Sequence, residues 1–280
     1  MCLTMMGNTL ESRYAVDKFA ILGGGAFSLA LAKVLSYKDI KTTLLVRNQT
    51  VADYINLHHR HPKYLSDMDL PTQLWATSDP AQALVNATCV VHAVPMQSSR
   101  NFLVSVKDLI PWDVPILSVT KGVEQGTFAL MNEIIIDVFG EHKRAAFLSG
   151  PSFAMEIMRG EATAVVIASI DDNLSSTLAE TLSGVEFRCH TSRDVKGVEL
   201  GGAIKNVIAL AAGMCEGLGL GMNAMSSLVT RGCSEMARCV SVRVRVRVRV
   251  RVRVRVRVRV GMLRDGEVCF LGTSVFFLDL

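Results

Sequence analysis

The sequence predicts an α/β fold: a mainly parallel sheet with helices on both faces, followed by an incomplete all-helical second domain. Two features of the chain carry that expectation. From Lys18 to about Ala168, short apolar runs alternate with stretches of helical spacing, and near-continuous apolar strands separated by helices belong to parallel sheets covered on both faces. Near His190 the alternation stops, and residues Arg193 to Arg238 read as helix throughout.

Taken in order, the expected strands are Phe19–Leu22, Thr42–Val46, Cys89–Val94, Pro115–Val119, Arg144–Leu148 and Ala162–Ala168. Helical spacing fills Phe27–Leu35, Gln97–Asp108 and Leu130–Phe139. In the second part, Val195, Val198, Ile204, Val207, Ile208 and Ala211 form one apolar stripe. Gly217, Gly219 and Gly221 interrupt it, and Asn223 is placed to cap a second helix. The chain therefore divides into an N-terminal extension (1–16), a nucleotide-binding domain (17–190), the start of a helical domain (191–240) and a tail (241–280).

That tail opens with an unbroken Val-Arg alternation, Val242 to Val260. As protein structure it would be one strand about 60 Å long, several times the usual length, with nothing left in the chain to cover its valine face. Interaction tails seldom repeat a dipeptide so strictly, so the segment reads as translated repetitive DNA and 261–280 as sequence outside the fold.

Composition narrows the function classes. Half of the 280 residues are apolar, enough for a core of ordinary density and too many for a disordered chain. No run reaches the roughly 18 consecutive apolar residues of a membrane-spanning helix, so no span is expected. The net charge of +4 rests on the nine arginines of the repeat, without which the balance is −5. A mildly acidic protein gives no reason to expect nucleic acid or anionic lipid as partner.

Seven scattered cysteines, with no C-x-x-C pair, argue against a disulfide framework or a zinc site and fit a reducing compartment. The first residues lack a basic segment followed by an apolar one. A cytoplasmic location is expected, with an organelle left open. His58, His59 and His61 stand close together, but in a polar stretch without Cys or paired carboxylates at ligand spacing. They read as solvated loop or helix residues, and no metal is expected. Cys215 and Cys233 fall in helical segments and read as small core residues.

The chemistry begins at Gly23-Gly24-Gly25-Ala26-Phe27-Ser28, between the first strand and the first helix. Gly23 permits a tight turn, Gly25 lets backbone approach a pyrophosphate, and the helix N-terminus offers unpaired N–H groups. Ser28 stands where the G-x-G-x-x-G/A pattern takes Gly or Ala. A Rossmann-like fold binding NAD(P)H is the expectation. The second strand ends in Arg47 with no carboxylate. A carboxylate there would bond the ribose 2′-hydroxyl of NADH, whereas arginine suits the 2′-phosphate of NADPH, which is therefore favoured over NADH.

Seven segments taken together carry a resemblance: GGGAFSLALA, KYLSDMDLP (63–71), AVP (93–95), TKGVE (120–124), FLSGPSFAMEI (147–157), GVELGGAIKNVIALAAGMCEGLGLGMNA (197–224) and RGCSEM (231–236). Over about residues 17 to 240 the chain resembles the NAD(P)-dependent glycerol-3-phosphate dehydrogenases. The resemblance implies hydride transfer between NAD(P)H and dihydroxyacetone phosphate, giving glycerol 3-phosphate, with a homodimer possible. A related ketone reductase and a nucleotide-binding pseudoenzyme are the alternatives.

The same resemblance implies roles for particular residues. Ala26 and Phe27 would contact the cofactor, with Arg47 at its ribose end, Tyr64 nearby, and Pro95 and Ala154 also on the cofactor. Lys121 would sit between nicotinamide and substrate, Gly150 and Ser152 would face the substrate, and Lys205 would be the catalytic lysine beside Asn206, with Asn223 shaping the pocket. These residue types suit the reaction. Hydride addition to a ketone leaves negative charge on oxygen, which a nearby ammonium stabilises and protonates. Burial and a second cation bring a lysine's pKa toward neutrality. In the family a later Ser-Arg-Asn stretch clamps the substrate phosphate, and none follows Arg238. Charge-assisted bonds of this kind contribute about 1.5–3 kcal/mol each, so the expectation for these 280 residues is a cofactor fold with little turnover.

Overall fold

The computed structural model describes residues 16–245, 260–262 and 268–270. An eight-stranded sheet organises residues up to Met236. Its strands are β1 (Lys18–Leu22), β2 (Lys41–Leu45), β3 (Leu74–Thr77), β4 (Cys89–His92), β5 (Ile116–Ser118), β6 (Ala145–Ser149), β7 (Thr163–Ala168) and β8 (Phe187–Ser192). They lie in the order β3-β2-β1-β4-β5-β6-β7-β8. The first six are parallel, in the doubly wound dinucleotide-binding order. At β7 the pattern departs from the parallel expectation: β6 and β7 pair antiparallel, and β8 then runs parallel to β7.

Alternation along β1 shows why both faces need cover. Phe19 and Ile21 enter one core and Ala20 and Leu22 the other, all 0% exposed. Helices α1 (Ala26–Ser36), α2 (Gln49–His58), α3 (Pro80–Leu84), α4 (Met96–Val106), α5 (Met131–Phe139), α6 (Ala154–Arg159) and α7 (Asp172–Leu182) connect the strands. Three elements absent from the sequence reading, α2, α3 and α7, begin at side-chain caps. Asn48 accepts from Thr50 N–H at 2.9 Å, Asp79 from Ala81 N–H at 2.9 Å and Asp171 from Asn173 N–H at 3.0 Å. Strands β3 and β8 were likewise unforeseen. Both are edge strands with exposed positions, so neither carries a continuous apolar run.

Helix α8 (Val195–Gly217) starts at Asp194, whose carboxylate accepts from Gly197 N–H at 2.9 Å. It packs on β6, β7 and α5. Of the expected stripe only Val195 is buried, and Val207 is 54% exposed. The fully buried positions are Val195, Leu200, Gly202 and Cys215, while Val198, Ile204, Ile208 and Ala211 of the stripe are half-buried. By length and composition alone α8 could cross a membrane. A left-handed Gly219 and Gly221 reverse the chain, so α9 (Gly221–Arg245) starts two residues before Asn223, which lies exposed in its first turn rather than at its cap. Cys215 is buried as expected, whereas Cys233 is exposed.

Residues 237–280 form a separate unit. The first four residues of the Val-Arg repeat, 242–245, continue α9 instead of starting a strand, since extending an existing helix adds one hydrogen bond per residue and arginine is a good helix former. Residues 246–259 lie outside the described residues, as do 1–15. Within this unit the short strands β9 (Val260–Met262) and β10 (Val268–Phe270) pair antiparallel.

Candidate active site

The segments singled out in the sequence leave the carboxyl ends of neighbouring parallel strands, where doubly wound sheets bind their ligands. After β1 the chain turns through Gly23, whose φ is +120° and whose N–H donates to Leu45 O at 3.0 Å. A Cβ there would stand 2.7 Å from Ala93 O, so only glycine meets both demands. Gly24, passed over in the sequence, is as constrained: its Cβ would meet Val46 Cγ1 at 2.7 Å. Gly25 differs, with nothing within 4 Å of its Cβ position, and it begins α1 without a side-chain cap. The first-turn amides at Ala26 and Phe27 thus open outward at the positive end of the helix dipole. That arrangement fits a dinucleotide pyrophosphate. Ser28 lies beneath the turn, 1% exposed, its hydroxyl without a partner among the described residues.

The loop after β5 is tied to its neighbours. Thr120 Oγ1 donates to Val94 O at 2.8 Å and lies 3.1 Å from Nδ1 of the buried His92, joining it to the segment that leads through the exposed Pro95 into α4. Gln97 Nε2 donates to Val123 O at 2.9 Å, and Gln97 Oε1 accepts from Gln125 N–H at 2.8 Å. Arg100 grips Glu124 through two bonds of 2.8 and 3.0 Å and reaches Asp137 at 3.0 Å. These bonds hold the Glu124 carboxyl below its ordinary pKa. None of these tethers was visible in the sequence, because each links residues far apart along the chain.

Lys121 emerges from this loop with its Nζ 5.3 Å from the centroid of the Phe27 ring. Burial, with the Lys205 ammonium adding to it, lowers the Lys121 pKa to about 8. Lys205, on α8, donates from Nζ to Gly150 O at 2.6 Å, and burial lowers its pKa as well. Gly202, one turn before Lys205, makes the approach possible: its Cβ would stand 2.6 Å from Ser149 Oγ and 3.7 Å from Lys121 Cγ. Gly150 is packed against β7, where a Cβ would stand 2.8 Å from Ala164 O. Ser152 Oγ donates to Gly150 O at 3.3 Å, and Ala154 opens α6 against the core. Phe27, Lys121, Lys205, Gly150 and Ser152 are thereby gathered at one end of the sheet. Two adjacent ammonium groups with lowered pKa can stabilise a developing alkoxide and hand it a proton.

Other expected site residues stand apart from this group. Arg47 is exposed just after β2. Tyr64 is 41% exposed, its ring 5.0 Å from that of His61 and 5.4 Å from the Lys63 ammonium. Asn206 is exposed on α8 and lines an open groove with Ala209, Leu210, Gly213 and Met214. His61 corrects the expectation of solvated histidines. It is 5% exposed, accepts from the N–H groups of Lys63 and Tyr64 at 3.0 and 2.9 Å, and has a pKa lowered by burial. Among the described residues, no group of three or more His, Cys, Asp or Glu is gathered to hold a metal.

Comparison with known proteins places this geometry in a family. Residues 18–175 match the model of the NAD-dependent glycerol-3-phosphate dehydrogenase N-terminus, and residues 194–246 that of its C-terminus. The glycerol-3-phosphate dehydrogenase [NAD(P)+] of Brucella canis is 43% identical over 79% of this chain and 68% of its own. That of Nitratidesulfovibrio vulgaris is 42% identical over 79% and 67%. The crystal structure of glycerol-3-phosphate dehydrogenase from Coxiella burnetii superposes with a TM-score of 0.76 at 36% identity, covering 81% of this chain and 69% of that one. Glycine turn, doubly wound sheet, paired lysines and these likenesses agree: the chain belongs to the NAD-dependent glycerol-3-phosphate dehydrogenase family.

Proposed function

We propose that the protein transfers hydride between NAD(P)H and dihydroxyacetone phosphate, forming glycerol 3-phosphate, and that it takes NADPH ahead of NADH. The observation that carries this reading is the convergence of Lys121 and Lys205 beside the glycine turn, both with lowered pKa. The reduced nicotinamide supplies the hydride, two electrons and a hydrogen, to the ketone carbon. Lys205, released from Gly150 O, donates the proton that the carbonyl oxygen takes up, and as neutral amine accepts it in the reverse direction. Lys121 stabilises the same developing charge from the side of Phe27. Gly150 and Ser152 present backbone and hydroxyl groups to an oxygen-rich substrate, while Gly25, Ala26 and Phe27 cradle the cofactor with Pro95 and Ala154, and the buried Ser28 supports the turn from beneath instead of touching the cofactor. Arg47, exposed after β2, meets the 2′-phosphate of NADPH, while Tyr64 and Asn206, which stand apart from the lysines, reach the ligands only from the periphery. Seven scattered cysteines without a C-x-x-C pair suit a reducing, cytoplasmic setting, and the partner is a small molecule.

Following absorbance at 340 nm with dihydroxyacetone phosphate and NADPH, then NADH, tests the reading. Slow substrate-dependent oxidation, in line with the little turnover expected of these 280 residues, lost in Lys205→Met while NADPH binding by fluorescence persists, is the expected result. A protein that binds NADPH yet reduces only another ketone, such as ketopantoate, overturns the substrate assignment. Equal rates in Lys205→Met overturn the role of the lysine.

A further inference from the structure

Helix α5 starts badly on its own account. Its N-cap, Leu130, has no side chain that can accept a hydrogen bond, yet the first-turn amides of a buried helix need partners. Glu133 reaches back to Leu130 N–H at 2.9 Å. The Asn132 amide is met from outside the element: Oε1 of Glu199, on α8, accepts from it at 3.0 Å, and Met131 N–H faces the same carboxyl group. The second oxygen, Oε2, is sealed from solvent without a partner among the described residues. A surface acid would not be held this way, since burying an unpaired carboxylate oxygen is costly unless the group does something for the fold.

Position along α8 shows what that is. Residues 199, 202 and 205 form one i+3 ridge. Along it Glu199 meets the start of α5, Gly202 lies against Ser149 Oγ, and Lys205 reaches Gly150 O. Six residues and about 9 Å separate the first point from the last. Beyond Lys205 most of the helix is exposed, so its rotation about its own axis depends on these three contacts together with the buried Val195 and Leu200 at its start.

We propose that Glu199 is a positioning residue for the reaction: by capping α5 it fixes the azimuth of α8 and so holds Lys205 over Gly150 and beside Lys121. The turnover part of its test rests on the dehydrogenase reading above, while the labelling and exchange parts do not. The charged groups facing the Glu199 carboxyl are Glu133 on α5 and Lys196 on its own helix.

The experiment compares the full chain with Glu199→Leu and Glu199→Gln. Competitive labelling by acetic anhydride across pH, read by mass spectrometry, follows the Lys205 amine without any turnover. In Glu199→Leu the Lys205 midpoint rises toward that of a solvated lysine, and kcat falls by about fivefold or more, the effect of a displaced proton donor, with KM for NADPH unchanged. Glu199→Gln keeps the acceptor oxygen and restores both to within twofold. In the unmutated protein, amide exchange at Asn132 is slow although it lies in a first helical turn, which keeps the proposal testable if Glu199→Leu does not fold. Fast exchange at Asn132, an unmoved Lys205 midpoint in Glu199→Leu, or equal damage in both variants overturns it. Absence of turnover in every form, with the labelling pattern as expected, counts against the dehydrogenase reading alone.

Discussion

Gly150→Ala joins the packing of the sheet to the chemistry of the site. The added Cβ would stand 2.8 Å from Ala164 O, 2.9 Å from Val165 Cα and 3.2 Å from Val165 Cγ1. Two of these three atoms are backbone of β7, so no rotamer change relieves them. Relief requires β6 and β7 to separate just beyond the Ser149–Val166 pair of their antiparallel ladder, until the closest contact opens from 2.8 to about 3.4 Å. Overpacking of this kind costs about 1–3 kcal/mol, a fall in Tm of about 3–9 °C for a domain of this size. The same movement carries away the carbonyl that Lys205 Nζ bonds at 2.6 Å, so substrate turnover falls with stability. Gly25→Ala supplies the contrast. Its φ of −80° suits alanine and its Cβ meets nothing within 4 Å, so stability is unchanged or rises by a few tenths of a kcal/mol, while NADPH affinity drops because the methyl occupies the approach to the turn. Thermal unfolding by circular dichroism and NADPH titration by fluorescence separate the two effects. An unaltered Tm in Gly150→Ala, or a destabilised Gly25→Ala with full NADPH affinity, refutes the reasoning.

Lys121, with its pKa near 8, is labelled by amine reagents at pH 8 faster than a solvated lysine; Lys205→Met removes a neighbouring positive charge and raises the Lys121 midpoint, which pH-dependent labelling measures. The Glu199 carboxyl is pushed up by burial from its ordinary 4.5 to about 7, so the folded state holds a proton that the unfolded chain releases. Stability therefore falls as pH rises from 4.5 to 7 and levels off above, by at most about 3 kcal/mol; urea melts at pH 5 and 7.5 show this slope, and Glu199→Gln abolishes it. Arg100→Met breaks the grip on Glu124 and Asp137 and costs about 1–2 kcal/mol after allowance for its partial exposure, with faster hydrogen exchange in residues 120–129 as the local sign. Exposed Cys233 reacts with maleimide in the native protein, whereas buried Cys215 reacts only on unfolding, as does Cys89, its thiol pushed up to about 12 by burial; peptide mapping decides it.

What the sequence makes legible here is local, and what it hides depends on contact. The turn after β1 could be read because an apolar run followed by glycines states its own geometry: φ at Gly23 and open space at Gly25 are properties of a few consecutive residues. The edge strands β3 and β8 escaped because a strand at an edge need not be apolar throughout, and α2, α3 and α7 escaped although their Asn48, Asp79 and Asp171 caps were in plain view. The resemblance brings Lys121 and Lys205 to the same substrate, but the packing that allows it is not legible in the sequence, since it depends on Gly202 letting α8 close on Ser149. Helix α8 shows the limit most sharply. Periodicity placed an apolar stripe on it that is only partly covered: Val195 is buried and Val198 packs on the core, but Val207 is 54% exposed, and beside the stripe an acid, a glycine and a lysine make the contacts that reach the site. A helix that delivers a charged group to a reaction has to turn a polar ridge inward, and a hydrophobic pattern has no means of announcing one. Its trace in the sequence is the opposite of a pattern, a Glu, a Gly and a Lys at i, i+3 and i+6 inside an otherwise apolar run, where each residue is unfavourable unless the other two are engaged.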